Sequence, residues 1–565
     1  MNAVTEVRPT EPLRLSMHGG ELYFVPLGGA GEIGMNLNLF GHRGKWLMVD
    51  LGVTFGNDTT PGIEVIMPDP AFIEERKADL VGLVLTHAHE DHLGAIQYLW
   101  PRLRCPVYAT PFTAAVLRAK LRDDNLVEPV EIREVPMGGR FEIGPFAIEL
   151  ITLTHSIPEP NALVLRTSAG TVLHTGDWKF DPEPLTGPAA DYDALRRVGD
   201  EGVLALVGDS TNVFVPGQAG SEADVRKSLM GLIGRFRHRV AVACFATNVA
   251  RLESVARVAE RHGRHVALVG RSLWRIHDAA KATGYLRGLP KFLTDEEAGF
   301  LPRDSVLLLC TGSQGEPRSA LARIASGSHP EIVFEEGDAA VFSSRVIPGN
   351  ERSIALLQNQ LHALGVEVVT AIEEPIHVSG HPARDELARM YQLVRPRVAV
   401  PVHGERRHLV EHARLAERCQ VPQSVVVGNG SVLRLAPGRA ALMGEVQAGR
   451  LAVDGSRIIP IDHAVVRTRA RIMHNGAAVA TLVVDKDGRF KADPQVTVHG
   501  LVDAAGEPEL AAEIVAAVRA AVEKLPTLTR RDDDQIKEAA RLAVRRLMSA
   551  VRGKKPVTDV HLIRV

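Results

Sequence analysis

The 565-residue sequence predicts an α/β protein of several domains: a β-rich domain, a parallel α/β domain inserted into it, and a small α+β domain towards the C-terminus. Three observations predict this. Short apolar runs separated by turns fill residues 19–218. Near Ser221 the pattern changes to helical stretches alternating with short apolar strands. After about residue 370 the histidine-bearing strand ends of the first region return, so the middle block interrupts one domain rather than following it.

Residues 1–18 carry Pro9 and Pro12 and are expected to form a flexible extension. From Glu21 the spacing predicts strands at Leu22–Val25, Leu37–Phe40 and Trp46–Asp50. Further strands are predicted at Leu83–Thr86, Ala147–Leu153, Ala162–Arg166 and Thr171–His174, with few helices. In 219–370 the predicted elements are helix Glu222–Phe236, strand Val240–Cys244, helix Val249–His262 and strands Val266–Val269, Val306–Cys310 and Ala340–Phe342. Helix Ser353–Leu364 and strand Val366–Val369 complete the inserted block. Residues 371–447 finish the first domain, 448–460 read as a linker, and 461–565 form the last domain. There, strands Ala478–Asp485, Gln495–Leu501 and Val560–Val565 accompany two amphipathic helices, Pro508–Lys524 and Asp532–Val551.

Composition narrows the function classes. Apolar residues are 45% and charged residues 24%, the balance of a globular chain. A formal net charge of −2 excludes wholesale electrostatic coating of a polyanion, which would need a locally basic groove. No signal-peptide core or run of 18 apolar residues occurs, so a cytoplasmic protein without membrane contact is expected. The four cysteines (Cys105, Cys244, Cys310, Cys419) form no CxxC pair and read as reduced thiols, which leaves His and Asp as metal ligands.

The most specific segment is His87-Ala88-His89-Glu90-Asp91-His92. It follows an apolar strand and precedes a helical stretch, Leu93–Leu99. On such a turn alternate side chains point the same way, so His87 and His89 can reach one metal while Asp91 and His92 reach a second. Imidazole with carboxylate suits zinc or manganese, and a paired site can activate water. One turn cannot fill two coordination spheres. Three further candidates stand where apolar strands stop: His155, Asp177 and His403. Asp50, ending Trp46–Val49, reads either as a turn-initiating residue or as an outer carboxylate that orients ligands.

Asp50, the His87–His92 motif, His155, Asp177 and His403, in this order, resemble the metallo-β-lactamase superfamily. The resemblance implies an αββα sandwich with two metals at one edge. His87, His89 and His155 would hold one, Asp91, His92 and His403 the other, and Asp177 would bridge them. Asp177 and His403 lie 226 positions apart, and a large α/β insert at this place resembles the β-CASP group, which acts on nucleic acids. Asp209-Ser210-Thr211 and His381 look like that group's carboxylate motif and additional histidine. Gly28–Asn36, Cys310–Pro317, Ile347–Glu351 and His377–His381 all resemble ribonuclease J, a family of bacterial and archaeal RNA-degrading and RNA-maturing enzymes.

That resemblance implies a metal-dependent ribonuclease of mRNA decay and rRNA processing, with Zn²⁺ and/or Mn²⁺ as cofactors and single-stranded RNA as substrate. It implies 5′→3′ exonuclease action preferring a 5′-monophosphate, with additional endonuclease action. Two cations would screen the diester and activate a hydroxide, leaving 5′-phosphate products. Asp177, Asp209 and His381 would be catalytic, with His381 protonating the leaving 3′-oxygen or holding the scissile phosphate. His377, Ser379, Gly380 and His381 would cradle the terminal phosphate, a pocket too small for a triphosphate. Phe55 is a candidate for base stacking or for packing, and Arg271, Arg275 and Arg318 for a phosphate track. A homodimer and partners in an RNA-degradation complex are expected.

Gly28–Asn36 has Gly-x-x-Gly spacing but lies between two strands, which argues against dinucleotide binding. Rival readings are a small-ester hydrolase, to which the large insertion is superfluous, a DNA nuclease, and a non-catalytic RNA scaffold, which has no need of seven metal ligands.

Overall fold

The computed structural model describes residues 19–57, 59–123, 129–503 and 506–565; the expected extension at 1–18 lies outside them. The chain forms two compact units. One comprises residues up to Thr54 with Met67–Gly449, the other Phe55–Ile66 with Arg450–Val565.

The first unit contains two large sheets packed face to face. One runs Ala441–Glu445, Ser431–Ala436, Leu22–Gly28, Leu37–His42, Lys45–Val49, Leu80–Val84, Val107–Ala109, Ile132–Glu134. The other runs Arg140–Ile143, Phe146–Thr152, Asn161–Thr167, Gly170–His174, Ala205–Asp209, Val398–Val402, Gln423–Ser424. Strand alternation explains the layers. Phe24, Phe40, Leu47 and Val49 of one sheet meet Phe146, Ile148, Leu163, Val207 and Val400 of the other in a common core. Trp46, on the opposite face of its strand, stacks edge-on against Phe72 of the short helix Ala71–Glu74. The far face of the second sheet is covered by helices Tyr192–Glu201, Arg384–Val394 and Arg406–Arg418 through Leu195, Met390, Tyr391 and Leu415. This is an αββα sandwich. Its helices, including Pro111–Asp123, exceed the few the sequence patterning predicts. They are short or carry mixed polarity, which blurs their periodicity.

The insertion is a five-stranded parallel sheet in the order His265–Val269, Val306–Cys310, Val240–Ala243, Ala339–Phe342, Glu367–Thr370. Both faces are apolar, and both are covered. Helices Glu222–Ile233 and Val249–Arg261 pack on one, Ala320–Ala325 and Glu351–Ala363 on the other. The strand order reverses beside Val240–Ala243, and such a reversal opens a crevice at the carboxyl ends of the strands.

In the second unit, residues 448–460 are not the expected linker. Arg450–Asp454 and Arg457–Pro460 form an antiparallel hairpin around Gly455 (φ 62°). The Asp454-Gly455 dipeptide between apolar residues is the hairpin signal that a short linker reading overlooks. The helix Ala464–Asn475 stands where the sequence patterning predicts no helix. Beyond it, Gln495–His499, Ala477–Val484 and Val557–Arg564 form a three-stranded sheet. Helices Pro508–Glu523 and Asp533–Arg552 cover one face of it, burying Ile514, Val518, Ile536 and Val544 against Leu482 and Val484.

Candidate active site

Six strands of the sandwich deliver their C-terminal ends to one rim. Asp50 follows Lys45–Val49, the His87–His92 turn follows Leu80–Val84, and His155 follows Phe146–Thr152. Asp177 follows Gly170–His174, Asp209 ends Ala205–Asp209, and His403 follows Val398–Val402. The side chains converge in three overlapping groups, each with ligand atoms within 4.8 Å of one another: His87, His89, His155 and Asp177; Asp91, His92, Asp177 and His403; and Asp177, Asp209, His381 and His403. Asp177 belongs to all three.

Outer bonds fix each ring. Asp50 accepts from the Thr86 amide and hydroxyl at 2.8 Å each and from His92 Nδ1 at 2.7 Å. Because the Thr86 hydroxyl gives its proton to Asp50, its oxygen is free to accept from His87 Nδ1 at 3.0 Å. One carboxylate therefore aims two imidazoles. His155 Nδ1 donates to the Gly380 carbonyl at 2.5 Å, which turns its Nε2 inward. Thr211 Oγ, anchored on Asp209 at 2.7 Å, lies 3.0 Å from His403 Nδ1. Such outer partners orient metal ligands and raise their basicity. The Gly28–Asn36 loop braces the same rim: the Asn36 amide and side chain both donate to the Asp91 carbonyl, and the Gly29 carbonyl accepts from the His403 amide. Asp50 (φ 62°) and His403 (φ 50°) hold left-handed backbone conformations, a strain common at functional sites.

The chemistry of the donor set fits divalent cations. His87 Nε2 and His155 Nε2 lie 3.0 and 3.1 Å from the same atom, His89 Nδ1. That atom carries one proton or one lone pair, so it can satisfy only one of them. The rings converge on a shared point rather than forming a chain of hydrogen bonds. Burial, reinforced by neighbouring imidazoles, holds His87 and His155 far below the usual histidine range. Burial likewise takes His89 down to about 4. All three are thus neutral donors. On the other side burial again opposes charge, but Asp177 and the carboxylates around it outweigh it, lifting His92 and bringing His403 to about 10. Protons there stand where carboxylates Asp91 and Asp177 call for positive charge.

His381 is half-buried at the edge of this cluster. Its Nδ1 donates to Asp209 Oδ2 at 2.8 Å, and its ring stacks on His403 with centroids 5.6 Å apart. Burial resists protonation of His381, yet Asp209 and Asp177 more than compensate and raise its pKa. Ser379 Oγ accepts from the Asn212 amide at 2.7 Å and from the His381 amide at 3.2 Å. A Cβ at Gly380 would stand 2.7 Å from the His155 ring, so only glycine brings this backbone so close. His377 is kept neutral, near 3, by burial and by Arg251.

Behind His377 lies a cluster of buried charges. Arg251 pairs with Glu222 at 3.0 Å and donates to the carbonyls of Ser343 and Ile376; Lys179 pairs with Asp181 at 3.1 Å. Glu222 N donates to Asp181 and Lys179 Nζ to the Gly220 carbonyl, which joins the two pairs.

All seven sequence-predicted metal ligands thus meet, with Asp50 behind them and Asp209, His381, Ser379 and Gly380 beside them. Phe55 ends the short strand Thr54–Phe55. It is 64% exposed and belongs to the unit that contains Arg450–Val565. Arg271 and Arg275 lie on helix Arg271–Ala282, which follows His265–Val269, and Arg318 follows Val306–Cys310, all on the inserted domain. Sequence reasoning included Asn36 and Thr211 only as members of the Gly28–Asn36 and Asp209–Thr211 motifs, without a role, and missed Thr86, Asn212 and Arg251. Only their adjacency to the motifs could have drawn attention to Thr86 and Asn212.

Comparison with known proteins agrees with this geometry. Family models match for the ribonuclease J beta-CASP domain at residues 237–361 and the ribonuclease J C-terminal domain at 464–565. A beta-lactamase superfamily domain matches at 57–195 and a Zn-dependent metallo-hydrolase RNA specificity domain at 365–422. The ribonuclease J of Sinorhizobium meliloti is 45% identical over 551 residues, 96% of this chain and 98% of that protein. The ribonuclease J of Mycobacterium tuberculosis is 37% identical over 553 residues, covering 97% and 98%. A crystal structure of a protein of unknown function from Enterococcus faecalis shares the fold, with a TM-score of 0.51 at 16% identity over 73% of this chain and 100% of that one. With such identity along nearly the full length of both proteins, this chain belongs to the ribonuclease J family.

Proposed function

We propose that this chain, a metal-dependent hydrolase of RNA, degrades single strands from a 5′-monophosphorylated end, one nucleotide at a time, and also cuts internally. The bond from His155 Nδ1 to the Gly380 carbonyl carries this reading. It joins the His377–His381 segment to the cluster that would hold the metals. A terminal phosphate seated on that segment lies a fixed, short distance from the scissile linkage, and a fixed distance selects the first linkage.

Two divalent cations, zinc or manganese, held by the two groups that share Asp177, would supply charge screening and a water acidic enough to attack phosphorus at neutral pH. Asp50 and Thr86 keep the His87–His92 turn aimed. Asp209 holds the Nδ1–H of His381, which leaves Nε2 to face substrate. A proton from that nitrogen passes to the departing 3′-oxygen as the P–O3′ bond breaks. The shortened strand then carries a new 5′-phosphate, and the cycle repeats.

The test compares decay of one end-labelled RNA bearing a 5′-monophosphate or a 5′-triphosphate, in Mn²⁺, with His89→Ala as the inactive control. The monophosphate form should decay at least about tenfold faster and release mononucleotides, since a charged hydrogen-bonded contact is worth roughly 1.5–3 kcal/mol. Equal rates would remove the phosphate pocket from the reading.

A further inference from the structure

We propose that Arg345 is the cation of the 5′-phosphate pocket, positioned for that role by Asn212. This rests on the end-recognition reading above and names the residue that gives it its charge.

A terminal phosphate is close to a dianion, and the segment that would cradle it has little permanent charge to offer. Ser379 contributes a hydroxyl. The Gly380 carbonyl is occupied by His155. His377 is neutral, and its Nδ1 has no hydrogen-bond partner among the described residues. His381 is already paired with Asp209.

Arg345 stands beside this segment. It follows strand Ala339–Phe342, next to the central strand Val240–Ala243 where the strand order of the inserted sheet reverses. Loops at such carboxyl ends are where α/β sheets bind anions and nucleotides. Its main chain is clasped: the Arg345 carbonyl accepts from Gln314 Nε2 at 2.8 Å, and Gln314 Oε1 accepts from the Ile347 amide at 3.0 Å. Its guanidinium donates one N–H, from Nη1, to Asn212 Oδ1 at 2.9 Å. The other end of the same amide donates to Ser379 Oγ at 2.7 Å and to the His381 carbonyl at 3.1 Å. One asparagine thus ties the arginine to the phosphate segment. Arg345 is exposed, and among the described residues no carboxylate lies within ion-pair distance of it. Four of its five N–H groups are left for an anion, and arginine's planar fork suits a phosphate with two acceptor oxygens. The buried cations Arg251 and Lys179, whose charges reach His377, lie behind the same segment but are each matched by a carboxylate.

The test measures binding without turnover. Full-length protein in EDTA is titrated into a fluorescent 2′-O-methyl RNA bearing a 5′-phosphate or a 5′-hydroxyl, for wild type, Arg345→Gln and Arg345→Lys. The ratio of the two affinities within one variant cancels any general loss of binding. Wild type should favour the phosphate about tenfold or more. Arg345→Gln should bring the ratio near one, and Arg345→Lys should retain part of it. A wild-type preference that survives Arg345→Gln overturns this proposal alone. A wild type with no preference overturns the end-recognition reading, and this proposal falls with it.

Discussion

The turn His87–His92 and the segment Ile376–His381 share one rim, yet they are held in opposite ways. The turn is braced by residues near it in sequence. Asp50 aims His92 and Thr86, and Asn36 grips the Asp91 carbonyl, all within 56 positions. The segment is braced from afar. Arg251 takes the Ile376 carbonyl across 125 positions, Asn212 takes Ser379 across 167, and His155 takes Gly380 across 225. Local bracing writes itself into a motif. Distant bracing is built only when the two stretches of the sandwich on either side of the insertion come together, and Arg251 adds a buried charge from the inserted domain.

Breaking that distant brace should have the largest effect. Arg251 is fully buried, and its guanidinium joins Glu222, Ser343 and Ile376. Arg251→Met leaves Glu222 charged and unpaired in the core, a loss of about 3–5 kcal/mol. Amide exchange in helix Val249–Arg261 and around Ile376 should accelerate accordingly, while exchange at strand Leu80–Val84 stays slow. Adding Glu222→Met should restore most of the protection, because a buried pair replaced as a whole costs little. Equal protection in wild type and Arg251→Met would mean that the segment does not depend on the brace.

This contrast also explains what was legible in the sequence. The candidate metal ligands were readable because they are polar residues placed at or just past the point where an apolar strand stops, and a rigid sheet turns that position into a direction. Asp177 and His403 converge across the whole insertion because parallel strands Gly170–His174, Ala205–Asp209 and Val398–Val402 are neighbours. The parallel sheet of the insertion was equally visible in its alternation. Arg251 was not. It sits on a helix whose exposed arginines look the same in sequence, and only the packed structure shows that this one is buried.

The two regions are joined by Asp209–Asn212, whose support can be titrated. Ser210 Oγ bonds His412 Nδ1, and Tyr391 Oη bonds His412 Nε2, each at 2.8 Å. Burial pushes His412 down to about 4, against Asp209, which draws it upward. An unfolded histidine titrates near 6.5, so between these values the unfolded chain binds more protons. The stabilisation from neutral, buried His412 is therefore complete above about pH 6.5 and is lost as pH falls towards 4. This stabilisation is on the order of 3 kcal/mol. Protection of helix Arg406–Arg418 should fall across this window in wild type, and the fall should flatten in His412→Gln. An unchanged slope in the variant would place the acid sensitivity elsewhere.

The smallest effect should come from the local brace, because neighbouring residues share its load. Asp50 is buried and in a left-handed backbone conformation that asparagine tolerates well, so Asp50→Asn keeps the turn's main chain. It cannot keep all the bonds. Both carboxylate oxygens accept, from Thr86 N on one side and from the Thr86 hydroxyl and His92 on the other, and an amide NH₂ must face one of those donor sets. His92 or the Thr86–His87 relay is then released, while Asn36 continues to hold the Asp91 carbonyl. Loss of an outer carboxylate of this kind lowers metal affinity by about 10- to 100-fold. Chelator competition with Zn²⁺ and Mn²⁺ on Asp50→Asn reads that number directly, and far- and near-ultraviolet circular dichroism should remain those of wild type. If the affinity held at the wild-type value, the His87–His92 turn would be self-supporting, and local bracing would explain only its legibility and not its strength.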